Sequence, residues 1–234
     1  MQFQTPLIRA TLVRRYKRFL ADVILPDGSE VTAHCANPGA MTGLKDEGTQ
    51  IWVEPNDNPK RKLNYSWKLV CLEGGGHACI DTAMPNAVVE EALRAGQVPE
   101  LSGYDTLKRE VNYGQNSRID FFLTGHGKPD TYVEVKSVTL RRNGGLAEFP
   151  DSVTKRGTKH LNEQSDMVRL GHRAIMLYVV HRTDCTKVSI AAEIDPAYAS
   201  ACDQARADGV QMLCYGTVIS PDGVFLAGSL PFEG

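Results

Sequence analysis

The chain has 234 residues, of which 42% are hydrophobic and 23% charged, with 26 basic against 28 acidic side chains. This composition excludes a disordered chain, a collagen and a small disulfide-dense scaffold, and its length allows one large or two small domains. The longest apolar run, Ala174–Val180, is far short of the roughly 20 residues that cross a bilayer. The first charges follow a short apolar stretch, which is the reverse of a secretory signal, so we expect a cytoplasmic protein with no membrane partner.

Basic residues are concentrated in two short segments, although the net charge is only −2. A local basic stripe can bind phosphate even when the total charge is near zero. Tyr16 and Phe19 interleave with the first segment, as in surfaces that stack bases, although either ring could equally belong to the core. The alternative for both segments is a solvated surface. The candidates for nucleic-acid contact are Arg14, Arg15, Lys17 and Arg18 in the first segment and Arg61, between Lys60 and Lys62, in the second.

Residues 1–82 are predicted to form short strands, because Gly, Pro, Asn and Asp clusters separate apolar runs and no helical period is sustained. Five or so strands in about 80 residues indicate a small closed barrel such as the OB-fold, and another small β barrel fits equally well. The loop 37–43, with Pro38 and two glycines, favours a structural or interdomain role over chemistry. The predicted strands are Leu7–Val13, Arg18–Leu25, Glu30–Ala36, Gln50–Val53, Tyr65–Leu72 and His77–Asp81.

From residue 83 onward, helical patterns alternate with strands, which indicates an α/β domain. We therefore divide the chain into residues 1–82 and 83–234. Pro85–Ala95 has an apolar face and stops at Gly96, and Asp195-Pro196 has an N-cap pattern before a helix at 196–208. A longer helix is predicted over Ser152–Leu170, and strands are predicted at 117–124, 131–138, 174–181, 186–193 and 210–219.

The strands 117–124 and 131–138 carry the most informative charged residues. Side chains alternate along a strand, so Glu134 and Lys136 share one face. A connecting loop of four or six residues would leave Asp120 on the other face, whereas a five-residue loop, 125–129, places Asp120 opposite Glu134. Only this loop, or an equivalent bulge, also collects the apolar residues Ile119, Phe121, Val133 and Val135 on one buried face, so burial selects it.

Two adjacent carboxylates repel each other unless a cation lies between them. Divalent ions such as Mg²⁺ and Mn²⁺ prefer oxygen ligands, and the main-chain carbonyl of Val135 could complete a site with Asp120 and Glu134. Lys136 could then activate a metal-bound water or stabilise negative charge on phosphate, which is equipment for hydrolysing a phosphodiester. The alternative is an ordinary solvent-facing sheet with a cross-strand Glu–Lys pair.

The helix predicted over 152–170 adds further candidates. Arg156 and His160 are four residues apart, as are Lys155 and Lys159, so each pair lies on one side of the helix. If Lys159 and His160 face Asp120, the helix could hold a phosphate, and Arg156 is a further candidate for nucleic-acid contact. Gly157 lowers helix propensity by about 1 kcal/mol relative to Ala, which indicates a close approach at that position.

The segment containing Asp120 and Glu134-Val135-Lys136 resembles the PD-(D/E)xK nuclease signature, with Ile119 where the signature has proline. The wider sequence resembles the sugar fermentation stimulation protein A family over nearly its whole length. The matching runs are RATLVRRYKRFLADV (9–23), NPGAMTGL (37–44), NPKRK (58–62), ELSGYDTLKREV (100–111), SRIDF (117–121), YVEVKSVTL (132–140), FPDSVTKRGTKHL (149–161) and IDPAYASACDQARADGV (194–210).

The resemblance implies an N-terminal OB-fold, a restriction-endonuclease-like domain with a central mixed sheet flanked by helices, DNA binding and a link to maltose metabolism. The family's metal-site residues carry over to Asp120, Glu134 and Lys136. Many such nucleases recruit a further acid from an earlier element, for which Glu110 is the candidate, in competition with Glu90 and Glu91.

Two functions follow from these residues. The first is a DNA-binding nuclease that depends on Mg²⁺ or Mn²⁺; the second is a DNA-binding regulator of sugar genes that uses the nuclease fold as a scaffold. No helix-turn-helix pattern supports sequence-specific regulation, and no sugar or phosphosugar motif supports a sugar-metabolising enzyme. We expect no small-molecule cofactor, and the sequence does not determine the oligomeric state.

Overall fold

The N-terminal part of the molecule is a closed β barrel. A computed structural model describes residues 1–233. The strands are β1 Ile8–Tyr16, β2 Leu20–Ile24, β3 Glu30–Cys35, β4 Gln50–Pro55, β5 Tyr65–Cys71 and β6 His77–Cys79. Antiparallel pairs join β3–β2–β1–β4–β5, and a parallel pairing of β3 with β5 closes the ring. Alternate side chains such as Leu12, Val23 and Trp67 fill its interior. Five strands closed in this order form an OB-type barrel, as predicted.

The remaining residues form a mixed sheet with helices on both faces. Its strand order is β14–β13–β11–β9–β8–β7, with β9, β11 and β13 parallel, and β10, β12 and β15 form a small second sheet. No helix among residues 1–233 is long and apolar enough to span a membrane. The elements are α1 Met84–Arg94, β7 Thr106–Tyr113, β8 Ser117–Thr124, β9 Thr131–Val138, β10 Gly145–Phe149, α2 Lys155–Arg169, β11 Arg173–Val180, β12 Cys185–Ile190, α3 Pro196–Asp208, β13 Gln211–Ser220, β14 Gly223–Ser229 and β15 Phe232–Glu233.

The central strand β11 shows how the sheet is buried on both sides. Its alternate residues Met176 and Tyr178 pack with α2 and α3, whereas Ile175 and Leu177 pack on the face that α1 covers. A strand with both faces buried carries a nearly continuous apolar run, which is why β11 was predicted from sequence. β7, β10 and β14 were not predicted. β7 is an edge strand with mainly exposed polar side chains, so it lacks the apolar alternation of a half-buried strand.

Helix α2 begins three residues later than predicted, because Thr154 is its N-cap. The Thr154 hydroxyl accepts a hydrogen bond from Gly157 N at 3.0 Å. Gly157 is buried, and a Cβ atom there would lie 2.9 Å from the Tyr198 ring and 2.8 Å from Thr154 Cγ2. The close approach expected at Gly157 is therefore confirmed, and it lets α2 pack directly against α3.

The barrel hairpin between β1 and β2 has a strained tip. Lys17 and Arg18 both have positive φ, 47° and 64°. The Phe19 amide donates to the Lys17 carbonyl at 2.8 Å, which makes a γ-turn of the rare positive-φ form around Arg18. Left-handed backbone costs a non-glycine residue about 1 kcal/mol or more. The contacts of the surrounding hairpin hold this tip in place.

The two halves are joined by strand-like hydrogen bonds. Cys79 N in β6 donates to the His181 carbonyl at 2.9 Å, and Thr183 N donates to the His77 carbonyl at 3.1 Å. At the other side of the molecule, Val224 N in β14 donates to the Met1 carbonyl at 2.9 Å. The N-terminal segment thus covers the edge strand of the second domain's sheet.

The Gly157→Ala substitution tests the packing of α2. Alanine in an exposed helix interior is ordinarily more stable than glycine by about 1 kcal/mol. Here the added methyl would clash with Tyr198, so we expect the free energy of unfolding to fall instead, by about 1–3 kcal/mol in urea denaturation. Gly144→Ala, which has open space around it, should be nearly neutral. A stabilised Gly157→Ala protein would contradict the packing described.

The burial of His181 at the junction between the two halves predicts that the protein loses stability in acid. His181 is fully buried, neither ring nitrogen has a partner among residues 1–233, and burial lowers its pKa from 6.5 to about 4. Between these two values the unfolded chain binds the proton and the folded protein does not, so stability falls as pH falls. His181→Leu should remove this loss, which amounts to roughly 3 kcal/mol. Urea denaturation across this pH range checks it, and equal pH slopes for the two proteins would contradict it.

Candidate active site

The β8–β9 register brings the predicted site residues together. Phe121 pairs with Val133 and Leu123 with Thr131, and Asp120 and Glu134 are the next two residues in this register, just beyond the last pair of the ladder. This is the register that was predicted from the five-residue loop. Phe121 and Val133 are buried in the cluster on the α1 side.

Ile119 does not follow this pattern. It is buried, but it packs in the cluster on the α2 side, contrary to the prediction that it would share a face with Phe121. The β8–β9 pairs end at Phe121, and β8 separates from β9 before Ile119.

Asp120 lies where β8 and β9 separate. Its Oδ2 accepts a hydrogen bond from Val135 N at 2.7 Å, and its Oδ1 accepts one from the Asn86 amide of α1 at 2.7 Å. Burial first, and then the charge of Glu134, raise the pKa of Asp120 to about 6. The N–H and C=O of a strand residue lie on the same side, so the Val135 carbonyl also faces Asp120.

Glu134 is 3% exposed, and only one of its two carboxylate oxygens accepts hydrogen bonds within residues 1–233. Its Oε1 accepts from Lys136 Nζ at 2.8 Å and from His160 Nδ1, whereas its Oε2 is buried with no partner among residues 1–233. Burial by itself raises the pKa of Glu134, but the hydrogen bonds and charges of His160 and Lys136 outweigh it and leave the pKa below its ordinary value. Glu134 is therefore an ionised carboxylate with one oxygen unused.

Helix α2 contributes His160, which is 3% exposed. Arg156, one turn earlier, donates from Nε to His160 Nε2 at 3.3 Å. An arginine has no acceptor, so Nε2 must be the acceptor and Nδ1 carries the ring proton that is donated to Glu134. Arg156 thereby fixes both the tautomer and the orientation of His160.

The remaining predicted site residues lie around this centre. Glu110 is exposed, has a φ of 51° and lies across the β7–β8 ladder from Asp120, between the pairs formed by Arg109 and Val111. Lys159 points away from Glu134: its Nζ donates to the Gln115 carbonyl at 2.6 Å. Of the two competing acids, Glu90 is paired with Arg109 and Arg94, and Glu91 is paired with the amine of Met1.

The basic residues of the barrel fall into two groups. Lys17, Arg18 and Arg61 are exposed, with no side-chain hydrogen bond anywhere in residues 1–233. Arg14 and Arg15 are instead bonded to other groups of the chain, although the Arg14 side chain is 69% exposed. Arg14 pairs with Asp22 at 2.8 Å, and Arg15 Nη2 donates to the carbonyls of Arg18, Asn37 and Gly39.

Sequence reasoning missed two polar residues near the centre. Tyr113, on the unpredicted strand β7, has a buried hydroxyl with no partner in the described part of the chain, and burial followed by the charges of Glu134 and Glu163 raises its pKa. Glu163 of α2 accepts from Gln115 N at 2.9 Å, and its other oxygen is also buried and unpaired there. The signal for Glu163 is its spacing of three residues from His160, which places both on one side of α2.

These residues fit a divalent cation. Within residues 1–233, no group of three or more His, Cys, Asp and Glu side chains surrounds a single point. The donor set is instead two carboxylates and one main-chain carbonyl, and such hard oxygen ligands suit Mg²⁺ or Mn²⁺, which retain water ligands. The unpaired Oε2 of Glu134 is the oxygen that a cation would satisfy.

Comparison with known proteins identifies the family. The family model "SfsA N-terminal OB domain" matches residues 13–80, and the model "Sugar fermentation stimulation protein RE domain" matches residues 83–223. The chain belongs to the sugar fermentation stimulation protein family.

Relatives and a solved structure agree with this assignment. The homologue from Dinoroseobacter shibae is 61% identical and covers 100% of this chain and 96% of its own length. The homologue from Roseobacter denitrificans is 60% identical, with 100% of both chains covered. The solved structure of Pyrococcus furiosus SfsA in complex with Ca²⁺ is 26% identical, covers 100% of this chain and 98% of its own, and superposes with a TM-score of 0.89.

Asp120→Asn tests the electrostatics of the centre. Because the folded protein raises the pKa of Asp120 from 3.8 to about 6, stability falls as pH rises through this range. At neutral pH in EDTA, the amide should therefore raise the free energy of unfolding by about 1–3 kcal/mol. Mg²⁺ or Mn²⁺ should raise the melting temperature of the parent and not of the variant.

The same substitution at the exposed Asp46 is the matched control and should change neither quantity. An Asp120→Asn protein that is less stable than the parent, and equally stabilised by Mn²⁺, would mean that Asp120 is a structural hydrogen-bond acceptor.

Proposed function

We propose that this protein is a divalent-metal-dependent phosphodiesterase that acts on DNA. The observation that carries the proposal is that the half-buried Asp120 and Lys136 lie close to the buried Glu134, which has an acceptor oxygen unpaired within residues 1–233. A solvent-facing Glu–Lys pair, the alternative from sequence, does not account for this, because Glu134 and Lys136 are 4% and 13% exposed.

The metal would be held by Asp120, Glu134 and the Val135 carbonyl. Support comes from the Pyrococcus furiosus relative, which was solved in complex with Ca²⁺, an ion that also prefers oxygen ligands. When bound, such an ion lowers the pKa of a water ligand and stabilises charge on a phosphate. We expect Mg²⁺ or Mn²⁺ to support cleavage.

The chain's own residues supply the rest of the chemistry. Lys136 Nζ, 2.8 Å from Glu134, can turn toward a phosphate oxygen and stabilise its negative charge once Glu134 binds the ion. His160 donates to Glu134 and holds the carboxylate in one orientation. Asn86 and the Val135 amide orient Asp120 in the same way, so the donor set is arranged before any ion or substrate binds.

Glu134→Gln tests the proposal. It keeps the size and hydrogen-bonding capacity of the side chain and removes one ligand charge. We expect cleavage of radiolabelled single-stranded or duplex DNA with Mg²⁺ or Mn²⁺ to fall at least 100-fold, roughly the effect of losing a key electrostatic group. DNA affinity should stay equal or rise slightly, because a negative charge near phosphate is removed. Lys136→Ala should also stop cleavage and weaken binding only slightly.

Glu47→Gln makes the same change at an exposed residue and should leave cleavage intact. If the parent binds DNA and no divalent ion supports cleavage, the fold acts as a non-catalytic DNA-binding scaffold, which is the regulator hypothesis. An unfolded Glu134→Gln protein would show that the cluster is structural.

A further inference from the structure

We propose that the β1–β2 hairpin tip, Lys17-Arg18-Phe19, is a site that binds single-stranded DNA by stacking an unpaired base on the Phe19 ring. This inference rests on the proposed function, because both take DNA to be the ligand. It adds the form of DNA that is recognised and the residue that recognises it.

The first observation is exposure. Phe19 is 48% exposed at the end of a hairpin, where it contributes little to the barrel core. Its two chain neighbours on one side, Lys17 and Arg18, are also exposed, and their side chains make no hydrogen bond within residues 1–233. An aromatic ring flanked by cations offers a face for a base and charges for the adjoining phosphates.

The second observation is backbone strain. Lys17 and Arg18 occupy positive φ values that favour glycine or asparagine. An Asn-Gly sequence would form this tip with less strain, but it would carry no charge. A strained backbone at an exposed turn is often retained because the side chains there have a function. At this tip the side chains are the two cations.

The third observation is the fixed position of the tip relative to the candidate active site. Arg15 Nη2 donates to the Arg18 carbonyl at 3.0 Å and to the Asn37 carbonyl at 2.7 Å, which ties the tip to the loop 37–40. Ala40 N then donates to Asp151 Oδ2 at 3.0 Å, just before α2. α2 carries Arg156 and His160, so a chain of hydrogen bonds runs from the tip to the active-site helix.

A cleft of about 340 Å³ follows the same route. It is lined by Asn37 and Gly39 on the barrel side and by Ser137 and Thr154 on the other. Ser137 directly follows Lys136, and Thr154 caps α2. Gly39 keeps this junction close, because a Cβ atom there would lie 2.5 Å from Asp151 Oδ2. The cleft therefore lies between the loop 37–40, to which the tip is bonded, and the residues that follow Lys136 and precede α2.

The stacking test compares Phe19→Leu with Phe19→Trp in the full chain, in EDTA so that no strand is cut. The probes are a single-stranded oligonucleotide containing 2-aminopurine and the matching duplex. Phe19→Leu should lower single-strand affinity by roughly tenfold, the effect of losing one base–aromatic stack, and leave duplex affinity within about twofold. Phe19→Trp should retain affinity, and its fluorescence should be quenched by the bound strand.

Phe225→Leu is the matched control, because Phe225 is 41% exposed in β14 and has no basic neighbours in the chain. It should change neither affinity. Equal losses on single strand and duplex for Phe19→Leu, or no loss on either, would overturn the stacking proposal. A lower melting temperature with unchanged affinity would place the ring in the barrel core and would also overturn it.

The double substitution Lys17→Asn with Arg18→Gly tests the strain argument. It should raise the melting temperature, because the new residues suit positive φ, and weaken single-strand binding. The dependence of log affinity on log salt should become shallower by about 0.7 for each cation removed. An unchanged salt slope would overturn the role of the two cations.

These outcomes are distinguishable from failure of the proposed function. A parent that binds single strands through Phe19 and cleaves nothing with any divalent ion would overturn the phosphodiesterase and leave the stacking site. A parent that cleaves DNA with no effect of Phe19→Leu would do the reverse. A parent that binds neither form of DNA would overturn both.

Discussion

The hydrogen bond from the Val135 amide to the Asp120 carboxylate is the interaction on which the candidate site depends. A buried amide must find an acceptor, and where β8 leaves β9 no main-chain carbonyl takes that place. The carboxylate of Asp120 substitutes for the missing strand partner. This one hydrogen bond gives the Val135 amide its acceptor and holds the Asp120 carboxylate at the start of the Glu134-Val135-Lys136 segment.

The two carboxylates are held in unequal electrostatic conditions. Lys136 and His160 both donate hydrogen bonds to Glu134, which stays ionised. Asp120 accepts hydrogen bonds from neutral groups, the Asn86 amide and the backbone. Burial first, and then repulsion from the ionised Glu134, disfavour the charged form of Asp120 and raise its pKa. A divalent cation would remove the repulsion, so the arrangement favours cation binding for the same reason that it disfavours the metal-free ionised state.

Sequence predicted the parts of this site that alternation and loop length control. The apolar residues of β8 and β9 fix one register, and that register places Asp120 opposite Glu134. Asn86 could not be found this way, because its contact depends on how α1 packs over the sheet.

Arg15 makes contacts that the sequence pattern did not predict. As a member of a basic run it was predicted to face nucleic acid, yet it donates to three carbonyls inside the molecule, and only the three-dimensional path of the loop 37–40 reveals them.

The pairing of the N-terminal segment with β14 constrains when the protein can complete its folding during synthesis. Met1 bonds to Val224, 223 residues away, so this contact forms only after nearly the whole of residues 1–233 has been made, whereas Gln4 and Thr5 bond to Glu54 of the barrel. At about 5–20 residues per second, that interval is tens of seconds. The barrel can close in this time because all of its strands have been made. The edge strand β14 of the second sheet pairs with the N-terminal segment last. Variants that weaken the N-terminal segment should therefore show their effect in aggregation of newly made chains before they show it in the stability of the finished protein.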